Sequence, residues 1–176
     1  MAKLRKFVSY RRTNRLKRAY TRFSKYKKYS YVRARPVCKV VRFDLGEANK
    51  AASFENKLHL VAKSTLQIRD NAIEAARTSA TRLMEKTLGK TGWFMQVRIY
   101  PHHILRENPL ASGAGADRMS TGMAHNYGKP VGVAAQVHQG QPLITIAVNP
   151  QNVTLARQAL KRASYKFPCS CSIVAE

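Results

Sequence analysis

The sequence predicts an α+β fold: a two-layer sandwich in which two helices cover one face of a mostly antiparallel sheet. Three observations indicate it. Two segments repeat apolar residues every three or four positions, several short segments alternate apolar and polar residues, and the two kinds of segment intermingle along the chain. A basic extension before this domain and a long glycine-rich loop within it complete the predicted architecture.

The predicted strands share short apolar alternation and end at glycine, proline or polar residues. The segments 131–137 and 143–148 flank His-Gln-Gly-Gln-Pro, which predicts a hairpin. The last strand is expected at a sheet edge. The strands are predicted at residues 37–45, 54–62, 93–100, 131–137, 143–148 and 170–174.

The clearer of the two predicted helices spans residues 68–88 and ends at Gly89. The second begins with Asn149 as N-cap and Pro150 at its first position, and runs to about Tyr165. Both have a core-facing stripe at helical spacing. These stripes consist of Ile73, Ala76, Ala80, Leu83 and Thr87 in the first helix, and Val153, Ala156, Leu160 and Ala163 in the second.

The N-terminal extension, residues 1–36, is expected to bind RNA. Residues 1–42 hold 16 of the 32 basic residues, no acid, and seven aromatic rings. Lysine and arginine neutralise phosphates, and tyrosine stacks on unpaired bases. A solvated basic tail is the alternative, which so many cations interleaved with aromatic rings fit badly. The expected contacts are Arg11, Arg12, Arg15, Arg18, Tyr20, Arg22, Lys25, Lys27, Lys28, Arg33 and Arg35.

The globular part, residues 37–176, carries further basic side chains that are expected to face RNA. Arginines on the outer face of the first helix are also compatible with a simple solvated surface. The candidates in this part are Arg69, Arg98, His102, His103, Lys129, Lys161, Arg162 and Lys166.

A net charge of +23 makes a polyanion the natural partner of the chain. No window approaches the roughly 18 consecutive apolar residues of a membrane span, and the basic start lacks the apolar region of a secretory signal. We therefore expect a cytoplasmic protein that does not bind membranes. Cys169 and Cys171 are separated by one residue where zinc sites need two to four, so reduced thiols and no metal are expected.

The glycine-rich loop, residues 104–132, is expected to be functional. Five of the nine glycines lie within residues 109–132, and irregular segments of this length are usually functional or disordered. A flexible loop without a function is the alternative. The residues expected to matter most are Arg106, Ala111, Ser112, Gly113, Ala114, Gly115, Ala116, Asp117, Arg118 and Met119.

Catalytic and cofactor motifs are incomplete. GAGADR at 113–118 starts like a dinucleotide fingerprint but has Arg118 at the final glycine position, and no P-loop occurs. His102 and His103 are adjacent and would point apart in an extended chain. The sequence therefore predicts no enzyme activity, no cofactor, no metal and no small-molecule substrate.

The string RIYPHHILRENPLASGAGADRMSTGMAHNYGKPVGVAAQV at residues 98–137 closely resembles the archaeal and eukaryotic branch, called ten-e, of the universal large-subunit ribosomal protein sixteen family. IRDNAIEAARTSATRLMEK at 68–86 and ALKRASYKFPCSCSIV at 159–174 resemble its helical segments, and AYTRFS at 19–24 its short N-terminal element. The H-H-I-L-R-E-N form is typical of archaea. Residues 1–53 match the family least.

The resemblance implies a hammerhead-like α+β protein of the large ribosomal subunit that is structural in translation. Its expected partners are 23S rRNA, 5S rRNA, tRNA and neighbouring ribosomal proteins. The loop would reach toward the tRNA acceptor arms near the peptidyl-transferase centre. A free-standing nucleic-acid architectural or RNA-chaperone protein is the alternative function, since it explains the charge but not the loop string.

Overall fold

A computed structural model of the chain describes residues 26, 28, 36–107, 114–115 and 128–176. Within these ranges two α-helices, eight strands and two 3-10 turns form a mixed α+β fold, which confirms the predicted fold class. The helices are α1 (Asp70–Leu88) and α2 (Val153–Ser164). Pairing is antiparallel throughout the described strands.

The strands form two sheets rather than the single predicted sheet. The first has five strands in the spatial order β1 (Asp44–Gly46), β4 (Trp93–Val97), β7 (Pro142–Val148), β2 (Asn56–Ala62) and β8 (Cys171–Ala175). The second has three strands in the order β3 (Leu66–Arg69), β6 (Lys129–Val137) and β5 (His103–Glu107). As predicted, the last strand, β8, lies at a sheet edge.

The two helices pack against each other; α1 contacts both sheets, and α2 contacts the five-stranded sheet. The apolar stripes of α1 and α2 are buried as predicted at Ile73, Ala76 and Leu160, whereas Thr87 is exposed. Alternate residues of the five-stranded sheet, such as Leu58 and Ile146, complete one large core. Burial of this apolar stripe, at about 25 cal/mol per Å², supplies the main stabilisation of the helices.

The predicted hairpin is wrong. β6 and β7 follow each other in the chain but pair with strands of different sheets. Gly140, at φ 81°, makes the turn between them, and its N–H donates to the Ala62 carbonyl at 2.9 Å. The turn therefore connects the three-stranded sheet to the five-stranded sheet.

The predicted bounds of the first strand and the predicted start of the first helix also differ from the structure. Of the predicted strand 37–45, only residues 44 and 45 form a ladder, which continues to Gly46. Lys39 N, at the start of the predicted segment, donates to the carboxylate of Asp70 at 3.0 Å instead of to a strand. Asp70 is buried at the start of α1 and also accepts from Asn71 N at 2.8 Å. Residues 68–69 are in β3 rather than in the helix, since Ile68 pairs with Ala135.

The ends of other elements were predicted less sharply. β4 ends at Val97, although Arg98 N still donates to the Leu143 carbonyl at 2.9 Å. A 3-10 turn at Pro150–Asn152 precedes α2, and Asn149 makes no side-chain capping bond there. β5 was not predicted at all.

Gly46 joins β1 to the core. Its φ of +83° is in the left-handed region, and a Cβ atom there would lie 2.2 Å from the carbonyl oxygen of Trp93. That carbonyl accepts from Glu47 N at 3.0 Å, while the Trp93 indole donates to Gly89 O at 2.9 Å. Glycine is therefore required where the chain leaves β1.

Candidate nucleic-acid interface

Many of the predicted RNA contacts lie outside the described residues. These are Arg11, Arg12, Arg15, Arg18, Tyr20, Arg22, Lys25, Lys27, Arg33 and Arg35 in the extension, and Ala111, Ser112, Gly113, Ala116, Asp117, Arg118 and Met119 in the loop. Lys28, Ala114 and Gly115 are described, and all three are exposed. Gly115 has a φ of +87°, a backbone conformation that glycine adopts without strain.

The glycine-rich loop starts and ends in paired strands. Residues 104–107 belong to β5 and 129–132 to β6, so the segment between the strands is 108–128. Leu105 and Ile104 are buried, and they anchor the base of this stem. Glu107 lies opposite Lys129 in the register, at the end from which the connecting segment leaves.

The stem contains an irregularity next to Arg106. Leu105 pairs with Gly132 and Arg106 with Pro130, so Val131 is an extra residue on β6. Proline has no N–H for a ladder, and a bulge is one of the places where a strand accepts it. A bulge of this kind bends the strand that carries it, and here it lies just before the connecting segment.

The adjacent histidines have different environments. His103 is buried at the start of β5, with 6% of its surface exposed, whereas His102 is exposed. His102 stands beside Tyr100, with ring centroids 4.6 Å apart, and Tyr100 stacks on Phe43 at 5.2 Å. Of the two predicted contacts, only His102 presents its side chain to a ligand.

Arg98 is exposed just before this group of rings. Its Nη1 donates to Gln96 Oε1 at 3.0 Å, which orients the guanidinium and leaves further donors available for a phosphate. Arg69 is half-buried at the end of β3. It is held at the junction of β3 and α1 rather than displayed on the helix surface.

Of the basic residues in and just after the last turn of α2, Lys166 lies beside residues from distant parts of the chain. Lys161, Arg162 and Lys166 are all exposed. Lys166 lines a groove together with Lys39, which precedes β1, and with Arg82, which is exposed on α1. We call this the basic groove; its lining residues are Lys39, Asn71, Glu74, Ala75, Thr78, Ser79, Arg82 and Lys166.

A second hollow lies next to the basic groove on α1. Thr78 and Arg82 line both, and the second hollow adds Arg42, Arg77 and Glu85. Together, five cations and two carboxylates therefore border the two hollows. A local excess of positive charge in a concave surface attracts phosphates.

One carboxylate of this surface is neutralised internally. Glu74 accepts from Arg77 Nε at 2.9 Å and from Arg77 Nη2 in a forked pair. The hydrogen bond from Arg77 holds the pKa of Glu74 below its ordinary value, and the same bond raises the pKa of Arg77. Glu74 therefore reduces the charge that Arg77 offers to a ligand.

Sequence reasoning missed Lys39, Arg42, Tyr100 and Phe43 as interface candidates. A signal for Tyr100 was available, because strand alternation places Tyr100 with Arg98 in the polar register of the 93–100 segment. No local signal exists for Lys39, since only the tertiary fold brings it to Lys166 and Arg82.

The described ranges contain no cluster of three His, Cys, Asp or Glu side chains suited to a metal ion. The three cysteines have free thiols, with Cys169 Sγ and Cys171 Sγ 3.7 Å apart. No helix in the described part of the chain is long and apolar enough to cross a bilayer.

The sequence matches the family described as Ribosomal protein L16p/L10e over residues 18–174. The chain belongs to this family. It is 47% identical over 171 residues to the large ribosomal subunit protein uL16 of Methanococcus aeolicus, covering 97% of this chain and 93% of the relative. The protein of the same name from Archaeoglobus fulgidus is 44% identical over 162 residues, covering 92% and 88%.

Membership of this family confirms the predicted resemblance and the prediction that the chain is a structural ribosomal protein rather than an enzyme. It also confirms the ribosomal location, in the cytoplasm, and the archaeal relatives agree with the archaeal form of the loop sequence. The match extends to residue 18, so it includes part of the N-terminal extension.

Proposed function

We propose that this chain is a structural constituent of the large ribosomal subunit that holds rRNA with two surfaces and extends its glycine-rich loop toward bound tRNA. The family match over residues 18–174 is the observation that carries the proposal. Its partners are 23S rRNA, 5S rRNA, tRNA acceptor arms and neighbouring ribosomal proteins.

The first rRNA surface is the N-terminal extension, residues 1–36, with its cations and aromatic rings. The second is on the globular part, residues 37–176, and centres on the basic groove. Lys39, Arg82 and Lys166 come from three separate segments and converge on one concave surface, which suits phosphate contacts rather than a solvated helix face. Lys161 and Arg162, in the last turn of α2, are two further exposed cations close in the sequence to Lys166.

The glycine-rich loop differs from these two rRNA surfaces. Its stem is fixed by the buried residues Ile104 and Leu105, whereas the connecting segment 108–128 is rich in glycine and small residues. Glycine and small side chains allow backbone to approach a crowded RNA junction closely. We assign the tip, residues 111–119, to the tRNA acceptor arms, as the family resemblance implies.

Co-sedimentation with large subunits from an archaeal lysate tests the placement. The chain should remain with these particles at moderate salt and be recovered in a one-to-one ratio with 23S rRNA. Recovery mainly with genomic DNA, or only at the top of the gradient, would favour a free-standing architectural protein instead.

Deleting residues 112–120 tests the division between anchor and loop. Because the stem lies outside the deletion, the variant should fold and join the large subunit, but tRNA binding to the assembled ribosome should weaken. Arg118→Ala should act in the same direction and more mildly. A deletion variant that folds but no longer joins the subunit would contradict the division.

A further inference from the structure

Three aromatic side chains form a compact group on the surface, which we call the aromatic step: Phe43, Tyr100 and His102. The Phe43 and Tyr100 rings are 5.2 Å apart and inclined by 25°, which is a stacked pair. The Tyr100 and His102 rings are 4.6 Å apart and inclined by 45°. Tyr100 is 50% exposed and His102 is also exposed, so two of the three rings face solvent.

The backbone holds the aromatic step in place. His102 N donates to Tyr100 O at 3.0 Å, which closes a tight turn around the buried Pro101. The fixed φ of proline suits this three-residue turn. Phe43 O accepts from Val97 N at 2.8 Å, so both sides of the step are attached to the end of β4.

The neighbouring sequence positions carry exposed cations. Arg98 lies two residues before Tyr100, whereas Arg42, the residue before Phe43, lines the second hollow along α1. Proteins bind single-stranded nucleic acid with exposed rings that stack on bases and with cations that contact the phosphates. Because the Tyr100 and His102 rings are exposed, packing in the core does not account for them.

We propose that the aromatic step is a stacking site for an unpaired RNA base. This inference rests on the proposed function, since it requires that the chain binds RNA, but it assigns a particular site and ligand. The faces of paired bases within an A-form helix are covered by their neighbours, so only a base in a loop, bulge or chain end can stack on these rings. Arg98 contributes a phosphate contact beside that base.

Photo-crosslinking in the intact large subunit tests the site without any substitution. Ultraviolet irradiation joins a base directly to a side chain in close contact, and mass spectrometry then locates the nucleotide adduct. We expect an adduct on Tyr100 or His102. Adducts confined to the basic groove and the N-terminal extension would overturn the stacking site while leaving the proposed function intact. A chain absent from the large subunit would instead contradict the proposed function itself.

Two substitutions at Tyr100 in the full chain separate stacking from folding. Tyr100→Leu should weaken binding of a single-stranded oligoribonucleotide about 5- to 100-fold, whereas Tyr100→Phe keeps the ring and should retain the affinity of the unaltered chain. Binding of duplex RNA should be the same for all three proteins. The measurement belongs at raised salt, where phosphate contacts contribute least. Equal single-strand affinity of the Leu and Phe variants, with both folded, would overturn the proposal.

Discussion

At the scale of single residues, Gly46 shows how one position controls the packing of a strand. Alanine at this position would adopt a φ of +83° and place its Cβ atom 2.2 Å from the Trp93 carbonyl oxygen. We expect Gly46→Ala to lower the free energy of unfolding by about 1–3 kcal/mol or more, because strain and a steric clash add. Urea denaturation measures the loss.

Gly140→Ala is the matched control for this prediction. Gly140 has nearly the same φ, +81°, but no atom lies within 4 Å of its added Cβ. It therefore reports the backbone strain alone, and it should destabilise the chain less than Gly46→Ala. Equal losses at the two glycines would mean that the contact with Trp93 contributes nothing.

The thiol of Cys171 gives a second prediction at this scale. Its hydrogen bond with Cys169, followed by burial, raises its pKa well above the ordinary value. The nucleophile in alkylation is the thiolate, so Cys171 should react slowly with iodoacetamide at neutral pH and faster as the pH rises. Cys169→Ala removes the hydrogen bond, lowers the pKa of Cys171 and should accelerate its alkylation.

Peptide mass spectrometry can follow the rate at each cysteine separately. Cys38 serves as the internal control, because burial raises its pKa and Cys169 is not among the causes of that shift. Its rate should be the same in both proteins. If Cys171 reacts no faster after the substitution, its low reactivity is due to limited access rather than to its neighbour.

At the scale of elements, the sequence predicted what depends on neighbours in the chain and missed what depends on distant contacts. The periodicity of α1 and the alternation of β2 and β4 are local, so both helices and several strands were found. The hairpin prediction was wrong because β6 pairs with β3 and β5, whereas β7 pairs with β2 and β4. The segment between the two strands does not determine these pairings. β5 was missed because five residues beside a glycine-rich loop carry little pattern.

The residues of the candidate site likewise divide into those that the sequence nominated and those that only the tertiary fold brings together. Composition was enough to nominate Lys161, Arg162 and Lys166 as cations at the end of a helix. It did not reveal the groove, because Lys39 and Lys166 meet only after the strands and helices have packed. The burial of His103 likewise follows from its pairing opposite Ala134 in the second sheet.

The Glu74–Arg77 pair on α1 links stability to RNA affinity. Glu74→Gln removes a negative charge from the basic groove and frees the guanidinium of Arg77, so RNA affinity should rise. Stability should fall slightly, by about 0.3–0.5 kcal/mol, as for ion pairs at this helical spacing. Filter binding to rRNA and urea denaturation measure the two effects, and Glu55→Gln, at an exposed glutamate outside the groove lining, is the control.

The same pair has a defined pH dependence. Arg77 lowers the pKa of Glu74 in the folded chain, so the stabilisation is present above the ordinary carboxyl pKa and is lost as the pH falls through the lowered value. The stabilities of the unaltered chain and Glu74→Gln should therefore converge in acid. A difference that persists at low pH would contradict this electrostatic origin.

At the scale of the whole molecule, a charge of +23 attracts any polyanion, so overall charge alone cannot show which cations touch RNA. Local contacts differ from the general field in their salt dependence, because each neutralised phosphate adds about 0.7–0.9 to the slope of log affinity against log salt. A triple variant, Lys39→Gln with Arg82→Gln and Lys166→Gln, should reduce that slope by about two to three.

The control variant changes Lys63, Lys86 and Lys90 to glutamine, three exposed lysines outside the groove lining. It removes the same charge but should leave the slope for rRNA nearly unchanged; equal reductions in the two variants would show that the groove acts only through the overall charge.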